Sequence, residues 1–561
     1  MGDGVRHFTI PVICCAGLVL VGTALQLCLG DIDSTFLAYP WSAILALFFT
    51  YAMVLLQGVA AKHRWARMLT SQRMGRLLLG LLVLVAVVMG LTGARLQHSW
   101  PFVLLLTALT AVTGVAAIDD LFHFRSRPLG AILSHVGTYM FLLAALCGNA
   151  DKRHVTVSAR LDDPVHVAVD DDGRSVTLPF VLTLKQFAID AYPPKLYLYD
   201  TALHASSEMS ASLKTTGVQE TLGQLQIFVD TLFNEALPDE GGRFRELFHV
   251  GAAPAAYVRT TDHSGSEVAA GWVSAGSFLF EPTLLPVGEE KSLWLAPCEA
   301  RQYRSQLLVQ RDGHDPQTME TAVNHPARIG AWTIYQQGFD TERGRWSTYS
   351  VLHCVHDPWS IVMQVSLWML LAGGVVMAIG RKSKSKMVRF VPVMAVLLTL
   401  AYTAFSLLRP QFVGRQLVPA LRSLWFIPHV TAYMFAYSLI SIGLVLMVTV
   451  EVRSHRSPAA SSDALATASM TLTRMGWGLL TMGLVMGALW AKRAWGDYWT
   501  WDPKETWAAA TWAGYLLALH LPPSTSARKR LVFLVLSFLL LQMTWYGLNF
   551  LPSSGGGLHS Y

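Results

Sequence analysis

Four histidines and one tryptophan-rich loop carry the residue types in this chain best suited to chemistry. The run Trp495-Gly496-Asp-Tyr-Trp499-Thr-Trp501-Asp502-Pro503-Lys504-Glu505-Thr-Trp507 sets four tryptophans within thirteen residues, between two apolar segments. Indole offers a broad apolar face for stacking and an N–H that prefers a wet edge. Such a cluster at a bilayer rim suits a planar macrocycle with polar margins. Interfacial tryptophans also anchor helices, but an anchor needs no fixed Gly496, Asp502 or Pro503. His429 and His559 bracket the loop in sequence, while His135 and His520 fall toward the opposite membrane face, giving one pair per face. Any single intramembrane histidine could be a helix-to-helix hydrogen-bond partner. Two helix-borne imidazoles that face each other can instead supply both axial nitrogens of a haem iron, leaving no open position for oxygen.

These residues need helices to hold them in a bilayer, and the composition supplies them. The 561 residues are 53% hydrophobic and only 14% charged, and mean hydropathy is +0.39, which excludes an ordinary soluble domain of this length. Apolar runs near 9–29, 41–61, 77–93, 101–118, 131–148, 361–380, 390–408, 425–450, 475–491, 507–521 and 531–549 predict about eleven helical spans. The first is expected to be a retained helix, because Leu29-Gly30-Asp31 offers no small-x-small cleavage site and more spans follow. Five loops carry the basic residues: Lys62 to Arg76, Arg125 with Arg127, Arg381 to Arg389, Arg453 with Arg456 and Arg474, and Arg528-Lys529-Arg530. The positive-inside rule makes all five cytoplasmic, with the amino terminus. The tryptophan loop, the carboxyl terminus and residues 149–360 then lie outside, and the net charge of +6 is mostly this inner belt. No basic, aromatic-interleaved soluble patch argues for nucleic acid; the surrounding partner is membrane lipid.

Residues 149–360 are polar and broken by Pro and Gly, with alternating segments at 176–184, 195–198, 222–229 and 331–336 that predict strands. The expected fold class is therefore a polytopic α-helical membrane protein with one exported β-rich domain. Its expected parts are an N-terminal bundle over 1–148, the β-rich domain over 149–360 and a C-terminal bundle over 361–561. The Ser-, Ala- and Thr-rich stretch 457–471 reads as a low-complexity linker. Of six cysteines, Cys14, Cys15, Cys28 and Cys147 fall in or beside spans as small hydrophobes. Cys298 and Cys354 share the exported region, where a structural pair is the favoured reading and a redox role toward a client thiol the other. Neither Cys-x-x-Cys nor Cys-x-x-Cys-His occurs in the chain.

The run Trp495–Glu505, with His429 in Trp425-Phe-Ile-Pro-His429 and the closing Gly557-Leu-His559-Ser-Tyr561, resembles the haem-handling signature of the System II cytochrome c synthases, in their CcsA (ResC) component. Upstream, Leu178-Pro-Phe180, the segment from Leu182 to Phe187 with Tyr192, Tyr335-Gln-Gln-Gly-Phe339-Asp340 and His356-Asp357-Pro358-Trp359 resemble the partner component, CcsB (ResB). The chain thus looks like a natural fusion of the two. The tryptophan motif is the more specific signal and the exported domain the weaker. Two features depart from the family pattern: the chain is short for a fusion, and an extra pair of spans near 77–118 precedes the His135 helix. His123 in the adjoining loop is the alternative to His135.

The resemblance implies a holocytochrome c synthase, or cytochrome c haem lyase, in a bacterial inner membrane. It implies haem b as substrate and bound ligand, apocytochrome c as client and a thioredoxin-like thiol reductant as partner. It makes His135 and His520 the inner axial ligands and His429 and His559 the outer ones. Trp495, Trp499, Trp501 and Trp507 would hold the macrocycle, and Trp495, Gly496, Trp499, Trp501, Asp502 and Pro503 would form the catalytic loop. Asp502 would repel haem propionates, so turn structure with Pro503 is its expected role; Lys504 is either a propionate partner or a solvated ion-pair residue. Two other functions stay open. One is a haem exporter or chaperone of a related maturation system without ligation activity; the other is a bis-His electron-transfer subunit linked to quinol.

Overall fold

The structure, a computed structural model, describes residues 2–93, 95–201, 205–217, 219–379, 397, 401, 404, 408, 417–456 and 463–551. His559, residues 457–462 of the expected linker, and all but four positions of the expected span 390–408 lie outside the described residues. Six helices come first: α1 (Gly2–Leu29), α2 (Trp41–Lys62), the short α3 (Arg64–Leu69), α4 (Gln72–Thr92), α5 (Trp100–Phe122) and α6 (Leu129–Gly148). Strands then fill the chain from Arg153 to His356. After them come α7 (Ser360–Ile379), α8 (Phe426–Arg456), α9 (Asp463–Ala494), α10 (Pro503–Leu519) and α11 (Ala527–Trp545).

Among the described residues eight helical stretches are long and apolar enough to cross a membrane, fewer than the number predicted. Two of the missing spans exist as helices but fall short of that measure. The 17-residue α10 is one, and α11 opens on Arg528-Lys529-Arg530. The protein is a multi-pass helical membrane protein with a separate β-rich part. The expected linker is also corrected, because α9 begins at Asp463 and takes in residues 463–471. Alternating alanines favour helix there, and Ser469 and Thr473 turn their hydroxyls onto the carbonyls of Gly443 and Ser469, at 2.6 and 2.9 Å.

Close approach of helix backbones organises the bundle. Lipid gives apolar helices little reason to associate, so glycine faces that admit a neighbour's backbone do much of the packing. A Cβ on Gly478 of α9 would lie 2.7 Å from the Gly374 carbonyl oxygen of α7, and one on Gly374 would lie 2.8 Å from the Gly478 oxygen. A Cβ on Gly137 of α6 would come within 3.0 Å of the Ser366 oxygen of α7. On α4, Gly90 leaves room for the Trp507 indole, whose Nε1 lies 2.6 Å from where a Cβ would sit. The most apolar stretch of Ala464–Ala494 is 83% buried, against 11% for Ile10–Leu29, so α9 is the hub and α1 the outermost helix.

The strands form three antiparallel sheets. The largest has eight strands, in the order Gln317–Ala322, Ala300–Gln310, Ser175–Ala191, Pro164–Asp170, Arg153–Arg160, Tyr349–His356, Trp332–Phe339 and Ala327–Ile329. The first and last strands of the region, Arg153–Arg160 and Tyr349–His356, therefore pair centrally, with Arg153 opposite His356. That pairing returns the chain to the bundle beside the point where it left. Alternate residues Leu182, Leu184, Leu307, Ile334, Leu352 and Cys354 are fully buried and form the core. The predicted strand over 222–229 is two strands, Gln219–Leu222 and Leu225–Pro238, since Gly223 turns the chain at φ +62°. Cys298 and Cys354 are both free thiols, against the favoured pairing. Cys354 points into the core of the large sheet, where burial pushes its thiol up to about 12.

Candidate functional site

The His135–His520 end of the bundle is built by α5, α6 and α10. His135 sits in the second turn of α6, and His520 caps the carboxyl end of α10. Their ring centres are 6.5 Å apart, tilted by 46°. Each ring uses one nitrogen inside the protein. Nδ1–H of His135 donates to Asp120 Oδ2 at 2.7 Å, and Nδ1–H of His520 donates to the Leu516 carbonyl at 2.9 Å. Nδ1–H donation fixes the tautomer and leaves Nε2 with the lone pair on both rings. Metal–nitrogen bonds of about 2 Å on opposite sides of one iron put two imidazole centres roughly 6 Å apart, so the spacing fits a shared metal. Arg76 closes the same end, its Nη1 donating to the His520 carbonyl at 3.1 Å. His123, the alternative to His135, is exposed, with Nδ1 on the Asp119 carbonyl at 2.9 Å.

At the other end, Asp502 caps the start of α10 and Glu505 braces the turn before it. Asp502 Oδ1 accepts from the Glu505 N–H at 2.8 Å, and Glu505 Oε2 accepts from the Thr500 N–H at 2.6 Å. Pro503 sits in the first turn, where its missing N–H costs nothing. The acids are therefore occupied in shaping the loop. Trp501 is held at φ +59°, rare for a bulky residue, and Gly496 at φ +98°. Strain of this kind persists only where the surroundings impose it.

The four loop tryptophans do not share one face. Trp495 lies 6.1 Å from Trp490, which lies 6.1 Å from His429, forming an aromatic row. Trp499 and Trp501 meet edge to face at 5.7 Å, and Trp501 packs on Phe102 of α5 at 5.1 Å. Trp507, only 2% exposed, is wedged against Gly90 between helices. His429 gives its Nδ1–H to the Gly483 carbonyl at 2.7 Å and abuts Gly487, where a Cβ would stand 2.8 Å from Cε1. The buried indole N–H groups of Trp425 and Trp499 have no acceptor among the described residues. Such donors suit a ligand with acidic margins.

A polar seam fastens this loop to the large sheet. Lys492 Nζ donates to Asp357 Oδ2 at 2.6 Å and to the Gly496 carbonyl at 2.9 Å. Asp497 pairs with Lys152 and approaches His154 Nε2 at 3.7 Å. His154 stacks on His353 at 5.2 Å. Burial first, then the Lys152 ammonium and His353, push His154 down to about 3, so it is neutral. Gly496 lies flat on the sheet, where a Cβ would sit 2.8 Å from Val355 Cγ2 and 3.1 Å from the Tyr335 ring. Asn324 Nδ2 holds the approach to α8 through the carbonyls of Pro419, Ala420 and Arg422, at 3.0 to 3.2 Å.

Asp120, Trp490, Lys492 and Asp357 were missed as site residues. The Asp119-Asp120 pair closing an apolar run was the available signal, since an acid at membrane depth marks function by default. Trp490 had no signal apart from its neighbours.

Fold and site together define a multi-pass membrane protein with two neighbouring imidazoles at one end of its bundle and a braced tryptophan loop at the other, and sequence comparison gives it its family. The family model for the cytochrome C assembly protein matches residues 359–554. Cytochrome c biogenesis protein CcsA of Prochlorococcus marinus strain MIT 9515 is 35% identical over 205 residues, covering 30% of this chain and 65% of that protein. The CcsA of strain MIT 9312 is 33% identical over 225 residues, covering 34% of this chain and 72% of its own length. The CcsA of Chlamydomonas reinhardtii is 35% identical over 176 residues, covering 29% of this chain and 48% of its own. The chain belongs to the CcsA family of cytochrome c biogenesis proteins.

Proposed function

We propose that this protein holds haem for cytochrome c maturation and catalyses its covalent attachment to the Cys-x-x-Cys-His segment of an apocytochrome c. The observation that carries the proposal is the facing pair His135 and His520, each with Nδ1 engaged and Nε2 available, in a member of a cytochrome c biogenesis family. In this reading the pair holds haem near the cytoplasmic side of a bacterial inner membrane. His429 and His559 then ligate it beside the tryptophan loop on the outer side. The part upstream of α7 plays the CcsB role, and the chain is a CcsB–CcsA fusion.

The chemistry needs positioning more than a nucleophile. Each client thiol adds its sulfur to one vinyl carbon of haem and its proton to the other, so the addition is redox-neutral. A thioredoxin-like reductant is required only to keep the thiols reduced. The aromatic row from His429 through Trp490 to Trp495 would set the plane of haem b, and the client's own histidine would displace one protein imidazole. Lys504, exposed at the start of α10, would meet a propionate from solvent in this reading.

The test is co-expression with an apocytochrome c in cells lacking their own maturation genes, scoring covalent haem. His429→Ala and His559→Ala should each lower attachment at least tenfold, with partial recovery on adding imidazole, which supplies the lost nitrogen. Unchanged yield in both variants overturns the assigned roles. Bound haem with no covalent product in the wild type would favour a haem exporter or chaperone. Haem that is reduced by quinol and never attached would favour an electron-transfer subunit.

A further inference from the structure

Asp120 is a buried carboxylate at the end of α5, its side chain 8% exposed, and both of its oxygens are engaged. Oδ2 accepts from His135 Nδ1 at 2.7 Å, and Oδ1 faces Arg127 Nε at 3.3 Å. Arg127 is shared, because its Nη2 donates to Asp119 Oδ2 at 2.6 Å. Asp119 is tied in turn to α2, accepting from Gln57 Nε2 at 2.8 Å. One guanidinium thus serves two carboxylates, and negative charge remains against the His135 ring. Burying that charge is costly unless it is paired and hydrogen-bonded, and His135 supplies a hydrogen bond that the shared guanidinium does not. Across the gap, His520 gives its Nδ1–H to a neutral acceptor, the Leu516 carbonyl. The two imidazoles face each other with unequal backing.

We infer that Asp120 is a positioning residue for the haem held by His135 and His520. It locks the His135 tautomer with Nε2 toward His520 and makes His135 the stronger electron donor of the two. This rests on the reading of that pair as haem ligands. A carboxylate acceptor raises the basicity of a ligating imidazole, and outer partners of this kind change metal affinity by about 10- to 100-fold. A stronger donor favours oxidised over reduced iron, so Asp120 lowers the reduction potential of haem bound there.

The test uses the full-length protein carrying His429→Ala, so that retained haem reports the His135–His520 pair. Asp120→Asn, Asp120→Ala, Asp120→Glu or His135→Ala is then added. Haem per chain, the reduction potential by spectroelectrochemical titration and the melting temperature are measured on each. Asp120→Asn keeps size and an acceptor oxygen but drops the charge, so its potential should rise. If oxidised haem is weakened about tenfold relative to reduced haem, the rise is about 59 mV. Asp120→Ala should lower haem content about tenfold or more, and Asp120→Glu should restore part of both properties. Loss of haem from Asp120→Asn at an unchanged melting temperature would also support positioning. An unchanged potential in Asp120→Asn overturns the inference, even if Asp120→Ala fails to fold. Haem retained in full by His135→Ala overturns the ligand reading beneath it, a distinguishable failure.

Discussion

The two ends of the helical bundle solve the same problem, holding an imidazole in place, by different means. The His135–His520 end is built by helix packing alone. Its rings are set by α6 and α10, and their hydrogen-bond partners come from helices at the same depth. The His429 end is built by bracing from outside the bundle. Its loop is capped by Asp502, braced by Glu505, pinned by Lys492 and Asp497, and laid against Tyr335 and Val355 of the sheet. A bundle can fix a residue on a helix, but a loop at its rim needs a second body to stiffen it. The difference predicts that damage at one end should spare the other.

The largest such effect is expected at Gly478. His135 reaches His520 through a series of packed helices, α6 on α7, α7 on α9, and α9 on α10, where Trp477 Nε1 donates to the Trp512 carbonyl at 3.1 Å. Gly478→Val puts a branched side chain where a Cβ already meets the Gly374 oxygen at 2.7 Å. Overpacking of this kind costs about 1–3 kcal/mol. The melting temperature should fall, and haem retained in a His429→Ala background should drop severalfold. A normal haem content would show that the α4–α10 contact alone holds His520 in place.

A smaller and opposite pattern is expected for Asp502→Ala. Losing this cap costs about 1 kcal/mol at the start of α10. Covalent attachment should fall while haem at the His135–His520 end stays at the wild-type level; an equal loss at both ends would erase the distinction between them.

The smallest effect concerns pH. The ordinary value for a histidine is 6.5, and His154 in the closed seam stands at about 3. An opened seam therefore takes up a proton below pH 6.5 that the closed seam cannot hold. Its closure free energy is complete above that pH and is lost progressively as pH falls toward 3. Lys152, Lys492, Asp497 and His353 surround the ring, so His154→Gln should flatten this dependence without abolishing closure. Hydrogen exchange across residues 495–507 on either side of pH 6.5 measures it. An unaltered slope in the variant would move the titration to another group.

Much of the architecture was legible because membrane helices announce themselves by length and apolarity. The spans carrying His135 and His429 and the alternating strands at 176–184 and 331–336 all appear as helices and strands. Reading failed where a local signal had two meanings. Ser and Thr in 463–471 read as linker, yet Thr471 satisfies its hydroxyl within the helix by donating to the Thr467 carbonyl at 2.7 Å, so a polar residue type alone does not mark a break. The four loop tryptophans read as one platform, but spacing within a strained turn cannot say which way each indole points. Trp507 follows helix geometry into the bundle interior, whereas Trp495 joins His429 through Trp490. Asp120 escaped notice because its meaning depends on His135, a residue on the next helix.

The flat contact of Gly496 on Tyr335 and Val355 has a consequence for chain connectivity. With sheet and loop on one polypeptide, the contact forms at an effective concentration set by tethering. Severing the chain within 380–416 would turn it into an ordinary bimolecular association. The halves would then meet through the packing of α7 on α9 and of α4 on α10 as well as through Gly496, so sheet and loop would stay together only as long as those helices do.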